Sequence, residues 1–179
     1  MEKKLKLDLH THCLEAVGFQ EPTREVVGKI VEAIQAKCLD GIAITDHARS
    51  QFAFGVKAMV ETCFGNQALI IPGQEIDLGN MEIVELFLPE ERLFRFIAHP
   101  GYPGSFSIDG RRVQGIEVDN GGHNWNMDTA KITRFAQEHH LLLLKNSDAH
   151  YLEDIGRAYN ELSWETLLSL SLPLRNYPV

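Results

Sequence analysis

Short apolar runs alternate with amphipathic segments along most of the chain. Residues 4–9, 41–45 and 141–144 have the length and residue types of buried strands. Residues 22–37 carry Val and Ile at helical spacing, and Thr23 is placed to cap that helix. Because strands separated by helices favour a parallel sheet, the pattern predicts an α/β fold with mainly parallel strands.

The same periodicities assign further elements. Strands are predicted over residues 68–71, 81–88, 95–98, 115–118 and 157–162, and helices over residues 53–64, 126–139 and 164–170. Pro72-Gly73 should stop the first of these strands, the strand at 81–88 should be half-buried, and the run at 141–144 should be covered on both faces. The alternation of strands and helices breaks over residues 77–95 and 101–114.

The length and charge of the chain limit its class. Its 179 residues suit a single domain, residues 1–179, with a full core, and no linker or repeat divides it. A formal charge of −8 argues against a broad basic surface for duplex DNA. An odd number of cysteines and the lack of a secretion signal or a spanning apolar stretch predict a cytoplasmic protein without a membrane partner.

Ionisable side chains follow the predicted strands at their carboxyl ends. The segment Asp8-Leu9-His10-Thr11-His12 places two imidazoles two residues apart, which in an extended chain brings them to one face. Four more motifs end later apolar runs: Thr45-Asp46-His47, Gly73-Gln74-Glu75, Ala98-His99-Pro100 and Ser147-Asp148-Ala149-His150. In a parallel α/β barrel these strand ends meet at one rim, so the side chains are expected to converge there.

The residue types of this set predict a metal site. Imidazole and carboxylate without thiolate suit Zn, Mn or Fe, whereas Ca and Mg sites normally consist of oxygen ligands alone. The set is too large for one tetrahedral ion and suits two or three divalent ions with bridging carboxylates, for which Glu75 and Asp148 are the natural candidates. Clustered ions of this kind favour hydrolytic displacement at phosphorus.

In their order, the five motifs resemble those of the PHP family (polymerase and histidinol phosphatase), over about Leu5 to Leu168. The resemblance implies a distorted, TIM-barrel-like (β/α)7 barrel, here reduced in length, with a di- or trinuclear metal site and phosphoesterase activity. It implies that a first ion is held by His10, His12, Glu75 and Asp148. It also implies a second ion on His47 and His150, a third on Glu75 and His99, and Asp46 orienting a histidine.

Two positions depart from the family pattern. The Asp or His that usually follows the first histidine pair is missing, and Glu15 is the only ionisable residue within residues 13–18. After the strand at 115–118, Glu117, Asn120 and His123 are alternatives for a further ligand, and for His123 a loop role is favoured.

A phosphate ester also needs groups beyond the metals. Arg49 directly follows the second motif and is the favoured phosphate contact, while His99 or His150 would influence protonation of the leaving group. A metal-bound hydroxide would attack phosphorus. A small phosphorylated substrate is favoured over long nucleic acid, because the sequence lacks a stripe of aromatic and basic residues. The alternatives are an amidohydrolase-type metallohydrolase and a non-catalytic metal-binding module; the oligomeric state is not readable from the sequence.

Overall fold

The computed structural model describes residues 3–108 and 112–176, so part of the predicted break over residues 101–114 lies outside it. Within these ranges the strands are β1 (Lys4–Asp8), β2 (Gly41–Ile44), β3 (Leu69–Asp77), β4 (Met81–Leu88), β5 (Arg92–Pro103), β6 (Gly115–Asn120), β7 (Leu142–Asn146), β8 (Asn160–Ser163) and β9 (Leu172–Pro173). The α-helices are α1 (Cys13–Ala16), α2 (Arg24–Ala36), α3 (Ser50–Cys63), α4 (Thr129–His139) and α5 (Trp164–Leu170).

The helices form where local sequence favours them. Thr23 caps α2 as predicted, because its side chain accepts a hydrogen bond from the Val26 amide at 3.3 Å. The face of α2 that carries its periodic Val and Ile residues is buried. Helix α5 has the predicted bounds, and Ser163 caps it by accepting a hydrogen bond from the Thr166 amide at 3.1 Å. No helix in the described ranges has the length and apolar character needed to cross a bilayer.

Eight strands lie in the order β7-β6-β5-β4-β3-β2-β1-β8, and β9 pairs with β5. The β1–β2, β2–β3, β5–β6 and β6–β7 pairs are parallel, whereas β3–β4, β4–β5, β5–β9 and β1–β8 are antiparallel. The prediction of a mainly parallel sheet is therefore wrong. Its middle is an antiparallel meander because no helix separates β3, β4 and β5, which is the region where the predicted alternation breaks.

The two ends of the sheet approach each other, and the sheet forms a nearly closed barrel. Asn160 of β8 joins the ends through its Nδ2 atom, which donates to the Leu7 carbonyl of β1 at 3.2 Å and to the Lys145 carbonyl of β7 at 2.8 Å. Its Oδ1 accepts from the Lys145 amide at 2.9 Å. Beyond the strand ends, the His12 amide donates to the Ala149 carbonyl at 2.8 Å. The predicted distorted barrel class is confirmed.

Pro72-Gly73 does not stop β3, which continues to Asp77. The strand changes partner at this point: Pro72 is the last residue in register with β2, and Gly73 is the first in register with β4. Proline fits the end of a ladder because it has no amide hydrogen to donate. Gly73 permits the close approach of β4, since a Cβ atom there would lie 2.5 Å from the Glu85 carbonyl oxygen.

Two predictions of strand burial are also corrected. Strand β4 is more than half-buried, with only Glu82 and Phe87 partly exposed, because it lies in the centre of the sheet and both its faces are covered. Strand β7 was expected to be covered on both faces, yet Leu143 is 38% exposed. The reason is its position at one end of the sheet, with a backbone ladder on the β6 side only.

Three apolar clusters hold the strand ends in place. Helices α2 and α3 pack against β2 and β3, and α4 packs against β4, β5 and β6. The interior cluster includes Leu7, Ile71, Phe94 and Phe96, together with Leu167 of α5. Burial of each of these side chains contributes about 1.5–3 kcal/mol to the stability of the fold. The ionisable residues at the strand ends are therefore attached to a well-packed apolar core.

Candidate metal centre

The first histidine pair lies at the carboxyl end of β1, deep in the barrel. His10 and His12 are fully buried, and their Nε2 atoms are 3.1 Å apart. Asp8, the last residue of β1, accepts hydrogen bonds from the Ser147 amide at 3.1 Å and the Gly156 amide at 2.9 Å. The loop after β7 is therefore held against the histidine pair.

Glu75 and Asp148 complete a compact group with this pair. His12 Nε2 lies 3.4 Å from Glu75 Oε2 and 3.1 Å from Asp148 Oδ1, and His10 Nε2 lies 3.4 Å from Glu75 Oε1 and 3.5 Å from Asp148 Oδ1. For a tetrahedral ion with ligands at about 2.0–2.1 Å, neighbouring ligand atoms are separated by about 3.3–3.4 Å. The spacing of these atoms fits one such ion.

The hydrogen bonding of the group also fits a cation. Asp148 Oδ1 is buried, and no group in the described residues makes a hydrogen bond of suitable geometry with it, although His12 Nε2 is 3.1 Å away. Asp148 Oδ1 therefore keeps the capacity to accept a cation. His10 presents its Nε2 to this group because its Nδ1 is paired with Glu117 Oε1 at 3.0 Å.

Glu75 connects this group to other histidines. Its Oε1 lies 3.0 Å from His99 Nε2, and its Oε2 lies 3.3 Å from His47 Nδ1. The two oxygens of one carboxylate thus face different imidazoles on either side. This is the arrangement of a bridging carboxylate, the role that its sequence motif predicts.

A second ligand group lies nearer the solvent. One possible ligand atom from each of His12, Glu15, His47 and His150 lies within 4.8 Å of the others. His47 and His150 are partly exposed, and His150 Nε2 is 3.8 Å from Glu15 Oε2. The Nδ1 of His150 lies 3.0 Å from the Asp148 carbonyl, which accepts its hydrogen and leaves Nε2 facing the group. Glu15 is thus the residue of the segment 13–18 that lies in this group.

Glu117 lies behind the first group instead of within it. It is fully buried, and its Oε1 is paired with His10 Nδ1 and accepts from Asn146 Nδ2 at 2.8 Å. Its Oε2 accepts from the His99 amide and from Asn120 Nδ2, both at 2.7 Å. Glu117 therefore orients His10 and fixes the backbone of His99, a role that the sequence alone did not separate from metal ligation.

Asp46 makes hydrogen bonds to backbone amides, and its expected role as a metal ligand or as the partner of a histidine stays a prediction. Its Oδ1 accepts the Leu14 amide at 2.9 Å and so holds the start of α1, while its Oδ2 is buried without a hydrogen-bond partner in the described residues. Burial raises the pKa of Asp46, and the charge of His12 opposes this shift. The Leu14 and Glu15 amides both donate to Asp46 Oδ1, so Asp46 lies beside the start of α1.

Glu82, which no sequence motif includes, and His123, one of the alternatives for a further ligand, also lie at the centre. Glu82 of β4 places its Oε2 3.5 Å from His99 Nε2, and burial together with the charge of Glu75 raises its pKa. His123, for which a loop role was favoured, does follow β6 in a loop, but its Nε2 lies 3.7 Å from Asp148 Oδ2. Its ring stacks on Tyr102 with centroids 4.4 Å apart. Neither position follows from periodicity, because each depends on distant strands.

Two residues of the centre have strained backbones. His99 has φ of 23° and Asp148 has φ of 53°, which side chains with a Cβ atom rarely adopt. Both side chains face the histidine pair. Such strain persists where surrounding contacts impose it, and it is concentrated at functional sites.

The electrostatics of the metal-free centre favour paired charges. Burial alone would lower the pKa of both His10 and His12, but Asp148 and Glu75 reverse this and raise the pKa of His12 to about 9. The pKa of Asp148 is lowered for the reciprocal reason, since burial would raise it and the charge of His10 outweighs that effect. A cation that enters must therefore displace protons from the imidazoles.

Arg49 lies outside the ligand groups, at the start of α3. It lines a cavity of about 250 Å³ that also contacts Glu15, Phe19, Asp46 and His47. Its guanidinium carbon is 5.8 Å from the centre of the Phe19 ring. The cavity places the Arg49 side chain next to Glu15 and His47 of the second ligand group.

Known structures share this fold. A protein of Bifidobacterium adolescentis ATCC 15703 described as a putative metal-dependent phosphoesterase has a TM-score of 0.68 and 14% identity, with 96% of this chain and 98% of that chain covered. An amidohydrolase of Chromobacterium violaceum, with bound sulfate and no metal, has a TM-score of 0.65 and 16% identity, covering 94% and 98%. PsfC of Pseudomonas syringae PB-5123 has a TM-score of 0.62 and 17% identity, covering 86% and 80%.

Sequence comparison adds a family match. No curated protein matches the chain at a significant level. A family model described as PHP-associated matches residues 126–169, a segment that contains α4, β7 and the Ser147-Asp148-Ala149-His150 motif. The donor set suits metal ions, and the structural neighbours share the fold of this chain. Over residues 126–169, which include one of the predicted motifs, the chain is thus similar to the PHP-associated family.

Proposed function

We propose that the protein is a metal-dependent phosphoesterase that hydrolyses a small phosphate ester at a centre of two or three divalent ions. The observation that carries the proposal is the position of Glu75. Its Oε1 faces His10 and His99, while its Oε2 faces His12 and His47. A carboxylate between two sets of imidazoles suits a shared ligand of neighbouring ions, and centres of that type favour displacement at phosphorus.

The residues would divide between the ions as their spacing indicates. His10, His12, Glu75 and Asp148 would hold the buried ion. Glu15, His47 and His150 would hold a second ion nearer solvent. When bound, Zn, Mn or Fe ions would acidify water and stabilise negative charge on the phosphoryl oxygens.

Arg49 would bind the phosphate oxygens that point away from the ions. It shares a cavity with Glu15 and His47, so a phosphate held at the second group lies beside its guanidinium. Arginine suits this role because its planar donors match phosphate geometry. Arg49 forms no ion pair with a carboxylate among the described residues, and its charge is available for a substrate.

His99 and His150 both direct Nδ1 at a backbone carbonyl, but only His150 is partly exposed. His150 Nδ1 is directed at the Asp148 carbonyl, which fixes its tautomer with a lone pair on Nε2 and favours ligation. His99 is similarly held, with its Nδ1 3.3 Å from the Tyr102 carbonyl. Any proton for the leaving group then comes through water at the exposed His150 side of the centre.

Metal content and turnover together test this function. The purified protein should contain stoichiometric Zn, Mn or Fe by elemental analysis and should hydrolyse members of a panel of phosphomonoesters and phosphodiesters. The His12→Ala and Asp148→Ala variants should lose about 100-fold or more of kcat/KM, since each loses a buried ligand. The His139→Ala variant, altered at the exposed end of α4, should keep full activity. Undiminished hydrolysis by either ligand variant would contradict the proposal.

The fold of the Chromobacterium violaceum amidohydrolase favours a second candidate, hydrolysis of an amide or ester bond. The same panel should therefore include amides and carboxylic esters. Turnover of these substrates without turnover of phosphate esters would replace the first proposal. Tight metal binding without any turnover would support a non-catalytic metal-binding module.

A further inference from the structure

Glu82 is brought to the metal centre by an irregularity in the β4–β5 ladder. Met81 is in register with Pro103, whereas the next residue, Glu82, is in register with Ala98. Residues 99–102 therefore bulge out of β5 opposite a single step of β4. Bulges re-aim side chains beside functional sites. This bulge places the His99 ring next to the Glu82 carboxylate, with His99 Nε2 3.5 Å from Glu82 Oε2.

The bulge has conformations that fix this geometry. His99 has φ of 23° and Gly101 has φ of 110°. A Cβ atom at Gly101 would lie 2.8 Å from the Asn126 carbonyl oxygen, so the loop after β6 presses on the bulge. The His99 amide is held by Glu117 Oε2 at 2.7 Å. The position of His99 relative to Glu82 is thus imposed from two sides.

Glu82 lies close to Glu75, and two imidazoles lie near this pair of carboxylates. One ligand atom from each of His47, Glu75 and Glu82 lies within 4.8 Å of the others. His99 Nε2 lies 3.5 Å from Glu82 Oε2 and 3.0 Å from Glu75 Oε1. The side chain of Glu82 is 17% exposed, and its only ion pair in the described part of the chain is with His99.

One nitrogen of His99 faces both carboxylates. His99 Nε2 carries at most one hydrogen, so it can donate to Glu75 or to Glu82 but not fully to both. Two carboxylates this close to each other repel, and a divalent cation between them would offset that repulsion.

We propose that Glu82 is a metal ligand, which with Glu75 and His99 forms a cation site supplied partly by the β4 strand. None of the sequence motifs includes Glu82. Two carboxylates and one imidazole suit Mn²⁺ or Fe²⁺ better than a tetrahedral Zn²⁺. The site shares Glu75 with the buried ligand group. The inference rests on the proposed function only in requiring a divalent centre, and it does not depend on the substrate.

Metal binding to Glu82→Gln tests the site without reference to turnover. The metal-free wild type and variant would be titrated with Mn²⁺, and the bound equivalents counted by elemental analysis after gel filtration. The variant should bind one equivalent fewer than the wild type. Electron paramagnetic resonance should show spin coupling between Mn²⁺ ions in the wild type, because Glu75 bridges them, and weaker or no coupling in the variant. Glu82→Asp should restore part of the lost equivalent.

Asp77→Asn is the matched control, because Asp77 is an exposed carboxylate in the same hairpin and belongs to no ligand group. It should bind as many Mn²⁺ equivalents as the wild type. Equal stoichiometry and unchanged spin coupling in Glu82→Gln would overturn the inference. Circular dichroism establishes that each variant is folded. A metal-loaded wild type that hydrolyses no phosphate ester would contradict the proposed function and leave the stoichiometric result for Glu82 in force.

Discussion

At the scale of single residues, Glu117 determines how the buried histidines are presented. Each of its oxygens accepts two hydrogen bonds, from donors that include His10 Nδ1 and the His99 amide. In Glu117→Gln an NH2 group would replace one carboxylate oxygen, so the two donors that face that oxygen would lose their acceptor. We expect a 10–100-fold loss of metal affinity and about 1–3 kcal/mol of lost stability. Competition with a chromophoric chelator measures the affinity.

The control for this prediction lies on the same strand. Asp119→Asn alters a partly exposed carboxylate that contacts Asn124, away from the histidines. Its metal affinity should equal that of the wild type. An unchanged affinity in Glu117→Gln would show that His10 is oriented without it.

The sequence predicts the ligands better than the residues that support them. His10, His12 and Asp148 end apolar runs, and this position is visible locally. Glu117 lies within a strand, and only the packing of β6 near β1 shows that it faces a histidine. The same limit applies to Glu82, whose position depends on a bulge in another strand.

At the scale of elements, the junction between β7 and β8 depends on one amide side chain. Asn160 is 7% exposed and pairs with both backbone groups of Lys145 and with the Leu7 carbonyl. The Asn160→Ala variant leaves these buried groups without partners, and we expect a loss of about 2–4 kcal/mol in the free energy of unfolding. Urea denaturation measures it. Glu161→Ala, an exposed change on the same strand, should cost less than about 0.5 kcal/mol; an equal loss in both would contradict the prediction.

Helices were predicted closely and strand pairing was not, for a physical reason. Thr23 and Ser163 cap helices through neighbours three residues away, so the sequence contains the whole interaction. The continuation of β3 past Pro72 depends on β4 supplying a new ladder. The exposure of Leu143 depends on which strand lies at the end of the sheet. Both are properties of the assembled barrel.

At the scale of the whole molecule, metal binding should stabilise the fold increasingly as pH rises. The pKa of His12 in the metal-free protein, about 9, is above its ordinary 6.5, because Asp148 and Glu75 outweigh the effect of burial. Protonated His12 therefore stabilises the metal-free fold fully below pH 6.5, and this contribution is lost as pH rises through about 9. A cation displaces that proton, so its apparent affinity should rise about tenfold per pH unit between these limits.

Thermal unfolding with and without Mn²⁺ at pH 6.5, 7.5 and 8.5 checks this dependence. At a free ion concentration a thousand times Kd, binding contributes about 4 kcal/mol. For a chain of this size that raises Tm by about 8–16 °C. The shift at a fixed ion concentration should increase with pH, and a shift independent of pH would contradict the protonation of His12. His12→Ala should lose most of the shift.

The junction at Asn160 also has a consequence for the order of folding. Glu75, Glu82 and His99 lie within one antiparallel meander, and nearby strands bring them together by local pairing. His10 and Asp148, in contrast, meet only after opposite ends of the chain have come into contact. Because contacts between near residues form faster than contacts between distant ones, we expect the half-site on the meander to form before the buried half. Occupation of the buried half therefore reports that the two ends of the chain have met.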